Sequence, residues 1–127
     1  MDSDTTTIRN FTKGKPPRLP FVCIKEAILG IDYELGISFV SPKKQKEFNK
    51  KYRNINKTTN ILSFALTKNS GDISFDLSKI KKEKELFQMS YRELLKYLFI
   101  HGLLHLKGMD HSAIMERQEK KFLKMFS

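Results

Sequence analysis

All three histidines of this 127-residue chain fall within eleven residues, as His101, His105 and His111 in the string His-Gly-Leu-Leu-His-Leu-Lys-Gly-Met-Asp-His. His101 and His105 are four apart, so on a helix both imidazoles leave the same face and can reach a point about 2 Å from each ring nitrogen, as tetrahedral zinc requires. Gly108 can end that helix and turn the chain, which lets His111 return as a third ligand. Three protein ligands leave one position open for water, the pattern of a catalytic rather than a structural zinc site. A lone histidine, or a pair four apart, would read as an ordinary core or surface residue. The third histidine beyond an intervening glycine is what points to metal.

The same spacing occurs in the zinc peptidases with the pattern H-E-x-x-H-x-x-G-x-x-H, with one difference. Gly102 stands where those peptidases carry the glutamate that deprotonates the attacking water and protonates the amine leaving group. Amide hydrolysis by that route is therefore disfavoured. Asp110, beside His111, reads equally well as an orienting partner for an imidazole, as a group that helps move a proton, or as the N-cap of a following helix. Asp72 reads by default as an exposed strand aspartate.

These residues need elements to hold them. Ser90 and Glu93 form an S-x-x-E capping box, and residues 94–106 are apolar almost all round, so the histidine helix is expected to be the central, most buried one. A last amphipathic helix is expected over 113–126, with Ile114, Phe122 and Met125 in the core. Earlier in the chain, Phe21, Ile24, Ile28 and Ile31 give helical spacing over 20–31, with Pro20 in the first turn. Residues 37–40 read as a strand, and Pro42 opens a second helix through Lys51 with Phe48 and Tyr52 as its apolar members. Residues 60–66 read as a strand. Ile73, Phe75 and Leu77 alternate with Asp72, Ser74 and Asp76 as another, joined to it by a hairpin at 69–71. The order helix, strand, helix, strand, strand, helix, helix predicts an α+β domain: a short mixed sheet packed against helices, with the metal-binding histidines on the buried central helix.

The length allows a single domain over 1–127, with about the first ten residues expected to be loose. The single Cys23 excludes an internal disulfide, residues 1–7 lack the basic and apolar regions of a signal peptide, and the longest apolar run is too short to span a membrane. A cytoplasmic protein with no membrane partner is expected. The net charge is +10, and residues 41–68 hold eight basic groups against one acidic. That segment is either a phosphate-binding face or a solvated helix face. Arg53, at the end of its helix, reads on its own as a solvated charge.

The histidine string resembles the H-G-x-L-H-L-x-G-x-D-H signature of the YbeY family, bacterial metal-dependent endoribonucleases implicated in ribosomal RNA maturation and small-subunit quality control. Tyr52-Arg53 followed by Thr59-Asn60-Ile61-Leu62-Ser63-Phe64 resembles the family's Y-R and P-T-N-V-L-S-F region, and Gly71-Asp72-Ile73 its G-D-I strand. The match runs from about residue 35 to the C-terminus. Thr58 and Ala65 stand where the family usually has proline, the connection between the two strands is short, and the chain is trimmed at both ends. The resemblance implies one Zn²⁺ per chain on His101, His105 and His111, a donor set that also accepts other divalent metals such as Ni²⁺ or Cu²⁺, with Arg53 as a functional arginine. The implied activity is single-strand-specific RNA cleavage on precursor ribosomal RNA or the small subunit, with ribosomal proteins as further partners. Arg53 would then grip the scissile phosphate through its planar fork, while Lys43, Lys44, Lys46, Lys50 and Lys51 attract the RNA backbone. The nucleophile is either a metal-activated water or the RNA's own 2′-hydroxyl. Hydrolysis of another bond, or a non-catalytic ribosome-assembly role with a structural metal, are the competing readings.

Overall fold

The computed structural model describes residues 4–53 and 59–127, so Lys57 and Thr58 lie outside the described residues. Its centre is helix α4 (Tyr91–Leu106), with Leu94, Leu95, Phe99, Ile100, Leu103 and Leu104 fully buried. Ser90 caps this helix, its Oγ accepting from the Glu93 amide at 3.1 Å. The reciprocal half of the expected capping box is absent, because the Glu93 carboxylate accepts from Lys96 at 3.1 Å and Arg92 at 3.2 Å instead. Lys96 is only 1% exposed, and a buried ammonium without a counter-charge costs several kcal/mol, roughly, so the lysine outcompetes the backbone for that carboxylate. Lys96 also donates to the Phe126 carbonyl, which ties the last helix back onto α4. Past Lys107 the helix stops at Gly108, whose φ of 102° is open to glycine at little cost.

Against α4 lies a four-stranded mixed sheet of β1 (Thr6–Asn10), β2 (Glu34–Phe39), β3 (Ile61–Thr67) and β4 (Ser70–Phe75), in the order β1-β2-β4-β3. β1, β2 and β4 are parallel, and β3 pairs antiparallel with β4. The expected loose N-terminus is corrected here, since residues 6–10 are the edge strand β1, paired in register from Thr6 with Leu35 to Asn10 with Phe39. The hairpin turn sits at Lys68-Asn69, one residue before the expected position, and a register irregularity falls between Ala65 and Thr67. The stacked rings of Phe39 and Phe75, with Phe21 and Phe99 edge-on or tilted beside them, join sheet to helices. Each such ring contributes about 1.5–3 kcal/mol through burial.

α1 (Phe21–Leu29) buries Phe21, Ile24 and Ile28 as the spacing predicts, but Ile31 lies beyond Gly30 and is 68% exposed. α2 (Pro42–Arg53) departs further: its buried residues are Gln45 and Asn49, while Tyr52 is exposed. Gln45 donates to the carbonyls of Ser74 and Thr59, and its Oε1 meets the Ser74 hydroxyl. α2 is thus seated by amide hydrogen bonds as well as by its aromatic pair, with the Tyr52 ring 4.7 Å from that of Phe64 on β3. For the same reason Ser74, on the otherwise open polar face of β4, is buried beneath Gln45. Asp76 is buried too, capping a helix that the apolar spacing does not reveal, α3 (Leu77–Glu83), by accepting from the Lys79 amide. Leu77 accordingly begins that helix and is not a strand residue. α5 (Ala113–Met125) buries Met115, Glu119 and Phe122, leaving Ile114 and Met125 more than half exposed. The α+β architecture is as expected, extended by β1 and α3. Among the described residues no helix is long and apolar enough to cross a membrane.

Candidate metal centre

One turn apart near the C-terminal end of α4, His101 and His105 bring their Nε2 atoms to 3.0 Å from each other. After Gly108 turns the chain, the His111 ring stands with its centroid 5.0 Å from each of the other two. One ring nitrogen from each histidine lies within 4.8 Å of the others, so the cluster can hold a metal ion.

The far side of each helical ring is already committed. His101 Nδ1 lies 2.5 Å from Glu119 Oε2, and His105 Nδ1 lies 3.0 Å from the Met109 carbonyl oxygen. A carboxylate and a carbonyl only accept, so both Nδ1 atoms donate and both Nε2 atoms present bare lone pairs to the same point. Two lone pairs at that separation repel unless a cation lies between them. The donor set therefore fits a metal ion, and the carboxylate and carbonyl behind the ligands fix tautomer and ring direction as in known metal sites. Burial, followed by repulsion from His101, holds the His105 pKa below its ordinary value of 6.5, which favours the neutral, ligating form.

His101, Gly102, His105 and His111 line a cleft of about 370 Å³ together with Arg53, from the end of α2, and Ser63 of the edge strand β3. All four site residues read from the sequence are thus brought together. Gly102 packs closely on the sheet: a Cβ there would lie 2.9 Å from Ile61 Cδ1 and 3.3 Å from Ile73 Cδ1, so a larger residue requires the ends of those two side chains to shift. The nearby carboxylate, Glu119, sits behind His101 and faces away from the shared point. Glu119 escapes any reading of α5 that counts apolar residues alone. Its spacing from Met115 and Phe122, four after one and three before the other, is the signal that places it on the buried face.

Asp110 is exposed, and the cap role belongs to Ser112, whose Oγ accepts from the Met115 amide at 3.2 Å. Asp72 lies outside this cleft, on the opposite face of the sheet beside Gly36, and partial burial raises its pKa. Lys43, Lys44, Lys46, Lys50 and Lys51 are all exposed on α2. Lys44 pairs with Glu47 at 3.5 Å, a surface pairing of little energetic weight.

Fold and cluster together define a small α+β domain built around a three-imidazole metal-binding centre. Residues 19–127 match the family model of endoribonuclease YbeY. A curated relative of that description from Clostridium botulinum (strain Loch Maree / Type A3) is 33% identical over 82% of this chain and 81% of its own. Another, from Oenococcus oeni, is 32% identical over 72% and 67%. The chain belongs to the endoribonuclease YbeY family, and is a metal-dependent hydrolase. The solution structure of TM1509 from Thermotoga maritima shares the fold, with a TM-score of 0.66 at 24% identity over 94% of this chain and 87% of that one.

Proposed function

We propose that this endoribonuclease cleaves single-stranded RNA at one zinc ion held by His101, His105 and His111, with Arg53 gripping the phosphate at the bond to be cut. The observation that carries the reading is the convergence of the two Nε2 lone pairs in the cleft that Arg53 also lines. Bound there, zinc would supply Lewis acidity, which acidifies water and polarises a phosphoryl oxygen.

The remaining work falls to the chain itself. Arg53 offers two parallel N–H donors to the phosphate and stabilises charge that grows as the phosphorus becomes five-coordinate. Glu119 and Met109 hold the imidazoles so that no reorientation is needed during the reaction. The α2 lysines attract the backbone without regard to sequence. The absence of a carboxylate at position 102 argues against amide substrates, since an amine leaving group needs a proton donor in that place.

In this reading the substrate is precursor ribosomal RNA or the small subunit, with ribosomal proteins as further contacts. The chain works as a single domain over 1–127 in the cytoplasm. The test incubates zinc-loaded protein with a labelled single-stranded RNA, the matching duplex and a peptide mixture, beside His105→Ala. Cleavage of the single strand alone, lost in the variant, is expected. Equal cleavage by both proteins, or cleavage of peptides, overturns the reading.

A further inference from the structure

The loops that follow β1, β2 and β4 meet at the end of the sheet remote from the histidines, where ligands of α/β sheets commonly bind. They enclose a pocket of about 560 Å³ lined by Phe11, Lys13, Lys15, Lys81 and Tyr91, among others, with no carboxylate in its wall. Three exposed ammonium groups with no carboxylate beside them in the wall give the pocket a positive face that suits an anion. Phe11 is 67% exposed, yet it does not dangle. Its amide donates to the Phe39 carbonyl at 2.9 Å, and the loop behind it is closed by Asn10, which donates to the Gly14 carbonyl at 2.7 Å and accepts from the Thr12 amide at 2.9 Å. An exposed aromatic ring on an anchored backbone, among lysines, suits a nucleotide, whose base stacks on the ring while its phosphate meets the charges.

Two helices connect this pocket to the metal centre. α2 begins beside the pocket at Pro42 and ends in the cleft at Arg53, and its 12 residues span about 18 Å. α4 begins at the pocket wall with Tyr91 and carries His101 ten residues on, a rise of about 15 Å. Along α2 the exposed lysines fill the interval. This continuity favours a polynucleotide over a free nucleotide or an acidic peptide, since an RNA strand gripped at Arg53 has a basic path to the pocket. At about 3.4 Å per stacked nucleotide, that path is about five nucleotides long.

We propose that this pocket is a second RNA-binding subsite, which holds one nucleotide of the strand a few residues from the bond cleaved, with its base against Phe11 and its phosphate on Lys13, Lys15 and Lys81. The inference rests on the RNA-cleaving reading above, and its test separates the two.

Binding of a fluorescent twelve-nucleotide single strand is measured in chelator, so that no metal or turnover is needed, across a range of salt. Turnover of a dinucleotide by the zinc-loaded protein is measured beside it. Replacing Lys13, Lys15 and Lys81 together by Gln is expected to weaken binding of the long strand about tenfold or more and to reduce the log–log salt slope by about 0.7, the value for one phosphate neutralised on a single strand. Phe11→Ala is expected to weaken it about fivefold or more, and replacing the three lysines by Arg should restore binding. Dinucleotide turnover should match the parent in every variant, since so short a substrate cannot reach both sites. If the glutamine variant binds the long strand with the parent's affinity and slope, or loses dinucleotide turnover in proportion, the subsite is wrong, while cleavage by the parent leaves the RNA-cleaving reading intact. If the parent itself neither binds nor cleaves RNA, both fall.

Discussion

His101 on α4 and Glu119 on α5, eighteen residues apart, are joined through Nδ1 and Oε2 at 2.5 Å. The hydrogen bond makes the last helix part of the metal centre, because it sets which nitrogen of His101 faces its neighbours. Glu119→Gln keeps an accepting oxygen but removes the charge that raises the basicity of the ring. Metal affinity should fall by about 10- to 100-fold with the helical content unchanged. Competition against a chromophoric chelator, paired with circular dichroism, measures both. An unchanged affinity would reduce Glu119 to a packing residue.

His105→Ala removes one of the two converging Nε2 atoms. Two imidazoles completed by waters bind zinc far more weakly than three. Elemental analysis of protein purified without added metal should give about one zinc per chain for the parent and well below that for the variant. Full occupancy in the variant would rule out the proposed ligand set.

The histidine helix is legible in the sequence because its signals are local: a serine cap, an unbroken apolar run, histidines one turn apart and a glycine stop. What escapes depends on partners distant in sequence. Residues 6–10 carry three β-branched residues but no clear apolar alternation, and they become β1 by pairing with the edge of β2. Gln45 and Asn49 look solvent-facing on a lysine-rich helix until Ser74, twenty-nine residues after Gln45, provides a hydrogen-bonding seat. Ile114 and Met125 look like core on α5 until buried Glu119 sets the phase of that helix. Apolar periodicity finds faces that bury hydrocarbon, and it misassigns faces buried through polar contacts.

The Tyr33 hydroxyl is buried with no hydrogen-bond partner among the described residues, and burial, aided by the nearby Asp72 charge, raises its pKa above the ordinary value of 10.0. Tyr91 and Tyr97 are raised in the same direction, first by burial. A phenol that ionises later in the folded chain than in the unfolded one supports the fold below its ordinary pKa, and that support is lost as pH rises through the folded value. Stability should therefore fall above about pH 10, where the unfolded chain releases these protons first. Tyr33→Phe removes an unsatisfied polar group and should hold or raise stability by ~1 kcal/mol at neutral pH. Urea unfolding at neutral and alkaline pH tests both statements, and a strongly destabilised Phe variant would show that the hydroxyl has a partner.

Lys43, Lys44, Lys46, Lys50 and Lys51 are exposed on α2, whose seat is made by other residues, Gln45 and Asn49. Their joint replacement by Gln should leave the melting temperature within a few degrees while RNA affinity drops and its salt dependence flattens, by about 0.7 in log–log slope for each phosphate that no longer meets a cation. Titrations at several salt concentrations decide the matter. Unchanged affinity and slope would make this helix a solvated surface.

Arg53 can either stabilise the reaction itself or merely add charge where RNA docks, and Arg53→Lys separates the two. Lysine keeps the charge but loses the planar pair of donors. If those donors strengthen as the phosphate becomes five-coordinate, the variant should cleave about 10²- to 10³-fold more slowly while RNA affinity and zinc content stay near the parent's values, because an interaction made only in the transition state shows in rate and not in binding. A docking arginine predicts the opposite, weakened binding with an unchanged single-turnover rate at saturating protein. Single-turnover cleavage of a labelled single strand, with binding and zinc content measured on the same preparations, discriminates between them. Cleavage by the lysine variant at the parent's rate would remove Arg53 from the chemistry and leave the three histidines alone at the reacting phosphate.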